Sequence, residues 1–180
     1  MKKLLLLTFA LTILLAIGGA CAHGAHPMAM AVLTPISGSH AQGTVHFEQM
    51  SDGTVEIKAD ITGLAPNSVH GFHLHDKGDC ADNGNAAGGH FNPTNMPHGS
   101  PDAQSHHAGD FGNITADANG EVHALLSSAL ISVAPGANSV VGHAVIVHAN
   151  PDDMTTQPSG NAGPRIACGV VESHTMAQMH

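Results

Sequence analysis

The sequence has no Trp or Tyr, only five Phe, and just five Lys and Arg in 180 residues. With large aromatics so scarce, small and β-branched residues dominate, alongside 21 Gly and 10 Pro. That mix favours short strands joined by tight turns over helix bundles. The shortage of basic residues against 14 acids gives a formal charge of −9. Nucleic acid and anionic membrane surfaces are therefore excluded as expected partners. The length suits one domain with a core of its own, without room for two. The one residue type in excess is His, at 16. Histidine is the commonest metal-binding side chain, so composition alone raises a metal site against the plainer reading of surplus surface histidine.

Residues 1–22 read as a signal peptide. Lys2 and Lys3 precede an apolar run from Leu4 to Ile17, which is short for a membrane span. Ala20-Cys21-Ala22 then offers an A-x-A cleavage signal that makes His23 the mature N-terminus. The second reading is lipoprotein processing with Cys21 acylated, although Gly18 stands where a lipobox carries Leu. Either route predicts export, to a periplasmic, extracellular or membrane-anchored location, with membrane contact only if Cys21 is lipidated. Loss of the leader leaves Lys58, Lys77 and Arg165 against 14 acids, a net charge of −11. It also leaves two cysteines, Cys80 and Cys168, an obvious pair in an oxidising compartment. The alternative, two free buried thiols, does not suit an exported chain.

Residues 23–28 read as a flexible His/Met-rich arm, 29–172 as the domain and 173–180 as a His- and Met-containing tail. Strands are expected at Ala29–Ile36, Gly43–Met50, Val55–Ile61, Val69–His75, Asn113–Ala116, Glu121–Leu126, Ser139–His148 and Ile166–Val171. Val55, Ile57, Ala59 and Ile61 face one way, while Glu56, Lys58 and Asp60 face the other. Ser51-Asp52-Gly53 is a hairpin turn. From Asp76 to about Ala108 there is no periodicity, only Gly, Asn, Pro, Asp and His. A structureless loop of that length inside a compact domain is normally functional or disordered, and metal coordination is one way to order it. The fold class expected is all-β, an eight-stranded Greek-key barrel or sandwich with a long metal-binding loop.

His73-Leu74-His75 puts two imidazoles on one face of a strand, with Phe72 and Leu74 anchoring the other. Alone, such a pair reads equally well as surface histidine. The loop adds His90, His98, His107 and Asp110, a normal tetrahedral zinc set. His148 ends an apolar strand and can turn back towards His73 and His75. Four imidazoles for copper and four ligands for zinc need eight places, and seven residues are available, so one histidine must bridge.

Gly71-Phe72-His73-Leu74-His75 resembles the first signature of the copper–zinc superoxide dismutases. Gly89-His90-Phe91-Asn92-Pro93, with His98, His107 and Asp110 following at intervals of eight, nine and three residues, resembles the family's zinc loop. Gly160-Asn161-Ala162-Gly163-Pro164-Arg165-Ile166-Ala167-Cys168-Gly169 resembles the second signature. The resemblance implies copper on His73, His75, His90 and His148, and zinc on His90, His98, His107 and Asp110. It implies that His90 bridges the metals and leaves copper, protonated, in the reduced state. It further implies that Arg165 orients the anion and that Cys80 pairs with Cys168. Asp152 would link His73 to His98. The implied reaction is disproportionation of superoxide to dioxygen and hydrogen peroxide. The rival readings are a non-catalytic copper-binding domain and a copper-storage protein of the same fold.

The sequence departs from the better-known eukaryotic members. The Asp153–Arg165 segment is short and lacks lysine, Ser159 stands where Thr is usual, and the Cys80–His90 stretch is long. Dimer-interface residues do not carry over, which leaves a homodimer open. His40, His46, His70, His123 and His143 read as surface or strand residues, and His106 yields to His107 on spacing. The tails, with His23, His26, Met28 and Met30 at one end and His174, Met176, Met179 and His180 at the other, are expected to capture copper and pass it to His73, His75 and His148. Disordered ends of accidental composition are the alternative.

Overall fold

Alternation of apolar and polar residues builds the first three strands: β1 (Met28–Pro35), β2 (Gln42–Gln49) and β3 (Val55–Thr62). In β3, Val55, Ile57, Ala59 and Ile61 are buried while Lys58 is exposed, the period of a strand with one solvated face. The computed structural model describes residues 26–174. The signal peptide, Cys21, His23, Met176, Met179 and His180 lie outside the described residues.

Five further strands follow: β4 (Val69–His75), β5 (Asp110–Thr115), β6 (Val122–Ser128), β7 (Ala144–His148) and β8 (Arg165–His174). The sheet order is β5-β4-β7-β8-β1-β2-β3-β6, with every pair antiparallel. The two edge strands curl towards each other, so the sheet makes a nearly closed Greek-key barrel. Phe111 of β5 sits in the interior, with its ring 6.3 Å from Phe47 and 5.8 Å from Phe72. Leu33, Ile57, Ile61, Leu74 and Ile114 complete a dry core.

Strand ends differ from expectation where tertiary pairing overrides local pattern. β1 and β8 extend each other, with Met28 opposite His174, so Met28 belongs to the sheet. β5 begins at Asp110, ahead of the expected Asn113, because His73 of β4 pairs with it across a bulge. β7 begins only at Ala144. The expected strand start at Ser139 forms only an isolated bridge to Ser132, with Val140 fully buried and a turn at 141–142 before β7. Apolar sequence there signalled burial, which needs no ladder.

Two attachments tie the long loop after β4 to the barrel. Cys80 and Cys168 form a disulfide with Cα atoms 5.8 Å apart across a sequence separation of 88. Cys168 is buried in β8 beside Ala87, Ala144 and Ile146, with Ile36 packed against them. Arg165, at the start of β8, donates from its guanidinium to the carbonyls of Gly84 and Gly88 in the loop. Closing a chain segment of this length removes about 4–5 kcal/mol of unfolded-state entropy. Accordingly, Cys168→Ala is expected to destabilise the fold by about 2–5 kcal/mol in chemical denaturation. Thiol titration of the native protein should find neither Cys80 nor Cys168 free.

Candidate metal centre

The wall that carries the site is two-sided. Phe72 and Leu74 point into the barrel, while His73 and His75 stand on the outer face, yet all four are fully buried. The covering comes from the loop, which lies along β4 as an irregular strand. Phe91 N–H donates to the Leu74 carbonyl at 2.8 Å, and Leu74 N–H donates to Gly109 at 3.0 Å. Phe91 and Ala108 join the core, so their neighbours His90 and His107 are turned outward over His73 and His75. From the other side β7 brings His148, whose own anchors, Val145 and Val147, are in the core.

The structure brings all seven expected residues together, as two groups of four that share His90. His73, His75, His90 and His148 form one; His90, His98, His107 and Asp110 form the other; potential ligand atoms within each lie inside 4.8 Å of one another. Hydrogen bonds then decide which nitrogen of each ring is free. His75 Nδ1 donates to the Gly88 carbonyl at 2.9 Å, and His148 Nδ1 donates to the Gly163 carbonyl at 3.1 Å. A carbonyl only accepts, so each Nδ1 carries the proton and each Nε2 presents a lone pair. Those two Nε2 atoms face each other at 3.3 Å. Asp152 plays the same part for another pair, accepting from His73 Nε2 at 2.8 Å and from His98 Nε2 at 3.0 Å. Their Nδ1 atoms are left bare.

Buried Nδ1 of His73, His98 and His107, and Nε2 of His90, have no hydrogen-bond partner. Leaving such atoms desolvated costs about 1–3 kcal/mol each, and four together are hard to explain by packing. A metal ion would satisfy this donor set. Asp110 Oδ1 lies 2.6 Å from His90 Nδ1, 3.0 Å from His98 Nδ1 and 3.2 Å from His107 Nδ1. Ligands about 2.0–2.1 Å from a tetrahedral zinc stand about 3.3 Å apart. The residues fit the two ions that the sequence implies.

Electrostatics keep the site ready for cations. Burial, reinforced by the neighbouring His90, pushes His73 and His75 well below the ordinary imidazole range. Burial also takes His148 down to about 4, with His90 and Arg165 adding to the effect against the Gly163 hydrogen bond. Burial opposes ionisation of Asp110. The hydrogen bond and charge of His90, and the N–H groups of Gly99 and His107, nevertheless hold its carboxyl far below the usual range. Asp110 is therefore an anion, beside the rings of His73, His75 and His148 that burial holds neutral. Arg165 is half-buried, and the Gly88 carbonyl that accepts from it also accepts from His75.

Several supporting residues escaped the sequence reading. His70 is a strand residue of β4, buried, with its Nδ1 2.8 Å from the His148 carbonyl and its Nε2 held by Ser68 at 2.6 Å. It fixes the backbone that carries a candidate ligand. Gln157 clasps the main chain of His98, accepting from its N–H at 2.9 Å and donating to its carbonyl at 2.8 Å. Asn113 does the same for Asp152, at 2.7 and 2.9 Å. Gly160, with φ 66°, leaves no room for a side chain: a Cβ there would lie 1.7 Å from Asp152 Oδ1 and 2.7 Å from His98 Nε2. Only Gly160 had a sequence signal, inside the second signature. Polar residues distant in sequence carry no periodic pattern to find them by. His40, His46, His106, His123 and His143 stand outside both groups.

Acid should dismantle the centre in a defined window. A histidine whose folded pKa is depressed leaves the unfolded chain binding more protons, so stability is lost as pH falls. For His148 this runs from about pH 6.5 to about 4 and amounts to about 3 kcal/mol. Metal-free protein is expected to show a falling denaturation midpoint across that range in urea titrations. Metal-loaded protein should release its ions over the same range, as protons compete for the ring nitrogens.

Comparison with known proteins agrees with this geometry. The copper/zinc superoxide dismutase family model matches residues 41–171. The crystal structure of the clock protein EA4 is similar, with a TM-score of 0.74 and 38% identity, covering 82% of this chain and 94% of that one. A family match across most of the chain, on a barrel that carries both ligand groups, shows that this protein belongs to the copper/zinc superoxide dismutase family.

Proposed function

We propose that the protein is an active superoxide dismutase, holding copper on His73, His75, His90 and His148 and zinc on His90, His98, His107 and Asp110. The observation that carries this is the set of buried, unpartnered ring nitrogens meeting from both sides of His90. When bound, copper supplies one-electron redox chemistry, and zinc supplies fixed charge without redox. Two superoxide ions and two protons give dioxygen and hydrogen peroxide.

The chain's own residues supply positioning and protons. His90 Nε2, bare of protein partners, is the atom that holds a proton in one half of the cycle and gives it to the departing peroxide in the other. Asp110, 2.6 Å from His90 Nδ1, would hold zinc together with that side of the ring, which would keep His90 in place when Nε2 changes state. Asp152 clamps His73 and His98 together, so the two groups of ligands cannot drift apart. Arg165 is permanently charged and has donors beyond those given to Gly84 and Gly88. It attracts and orients the incoming anion at the rim, inside an otherwise acidic molecule. Steering depends on this local field more than on net charge. The disulfide supports an exported, oxidising location, in the periplasm, outside the cell or on a membrane through Cys21.

A second reading is a non-catalytic copper-binding domain, which gains support because the similar solved structure is titled a clock protein. Superoxide consumption by metallated protein separates the two.

Three outcomes are expected. Metal analysis of fully loaded protein should give one copper and one zinc per chain, and His90→Ala should lower activity by at least about a hundredfold while uncoupling the two sites. Arg165→Ala, with metal content checked, should slow turnover by about tenfold, and Arg165→Glu by more. Added salt should slow the wild type more than Arg165→Ala, because screening acts on the charge that has been removed.

A further inference from the structure

Along β1, Ala29, Ala31 and Leu33 are buried in the barrel, so Met28, Met30 and Val32 stand on the outer face. The register sets Met30 directly between His46 of β2 and Glu172 of β8. It sets Met28 between Glu48 of β2 and His174 of β8. Six outward side chains thus form a grid, with two thioethers down the middle and imidazole and carboxylate at alternate corners. Directly opposed residues in antiparallel strands have Cβ atoms about 4.5–5.5 Å apart, and diagonal neighbours are within reach of long side chains. Met30 and His174 also line one surface groove of about 470 Å³, with Val32, Val170, Glu172 and Ser173. This face belongs to β8, β1 and β2, whereas the metal centre sits on β5, β4 and β7.

From this arrangement we infer a second, surface metal site, selective for a soft monovalent cation such as Cu(I). Thioether sulfur favours Cu(I) over the harder divalent ions, and imidazole completes the set. Met28 and Met30 are the soft donors; His46 and His174 approach from opposite corners; Glu48 and Glu172 neutralise the charge. Lys58, paired with His46 on β3, is turned to Asp60 at 3.0 Å. Burial, then the charge on Lys58, favours the neutral ring of His46, which is the form that ligates.

The position bears on what the bound ion does. His174 lies nine residues along β8 from Arg165, about 30 Å at about 3.3 Å per residue. A hand-over from His174 itself to His73, His75 and His148 therefore has no short path within one chain. The surface site holds its ion independently of the buried centre and exchanges it with the outside. His26, the other described tail ligand, has its Nδ1 2.6 Å from the Gln49 carbonyl, a contact that holds the start of the chain against β2.

The test begins with reduced protein whose buried copper and zinc sites are already full, kept without oxygen and titrated with Cu(I) against a chromophoric chelator. One further equivalent is expected, with shifts confined to the ε-methyl signals of Met28 and Met30 among the described methionines. A Met28→Leu, Met30→Leu, His174→Gln variant should lose that equivalent while keeping its buried copper, its zinc and its melting temperature. A second variant replaces His23, His26, Met176, Met179 and His180, and should retain it. The proposal is overturned if no further equivalent binds, if the first variant still binds it, or if only the second variant loses it.

Discussion

The whole assembly depends on a proton count. Seven polar side chains are buried in one place, and protein carbonyls and carboxylates accept from chosen ring nitrogens so that the others are left as bare lone pairs. Gly88 and Gly163 dictate this for His75 and His148, and Asp152 dictates it for His73 and His98. Desolvation then keeps the rings of His73, His75 and His148 neutral. A site built this way is poor without cations, since lone pairs face each other across about van der Waals distance. It is well organised for cations, since no ring has to turn or lose a proton to bind, apart from His90. The supporting hydrogen bonds therefore shape the donor set as much as the ligands do.

Burial of this kind needs a wall that is anchored from behind. Each candidate ligand on a strand is flanked by residues fixed in the core: Phe72 and Leu74 around His73, and Val147 beside His148. Phe91 and Ala108 do the same for His90 and His107 in a segment with no periodic pattern of its own. The loop is ordered because it borrows the sheet's hydrogen bonds at Leu74, and because Cys80 and Arg165 hold its first part. The same guanidinium thus joins loop order to the charge presented at the rim. Fold and electrostatics cannot be separated at that residue.

The outer face of β1, β2 and β8 shows the opposite use of a sheet. There Ala29, Ala31 and Leu33 of β1 face the core, and what stands outward beside the first two is a pattern of sulfur, imidazole and carboxylate. Nothing in barrel stability requires thioethers on that face. Strand register alone aligns them with His46 and His174, which come from chain segments more than a hundred residues apart.

Local physics was enough for much of this. Period-two alternation placed β1 to β3 within a residue or two, because a strand with one wet face must repeat at that interval. Ligand type and spacing, with the family resemblance they carry, pointed to the seven site residues, and a cysteine count under the expectation of export pointed to the disulfide. The structure alone decided what depends on distant segments meeting. β3 pairs with β6 and β1 with β8, pairings that no local pattern encodes; the second moved the ends of β1 and β8, and pairing with β4 moved the start of β5. His70, Gln157 and Asn113 acquired their roles only when the fold put them against His148, His98 and Asp152. Hydrogen-bonding capacity is written in the residue type; the partner that uses it is chosen by packing.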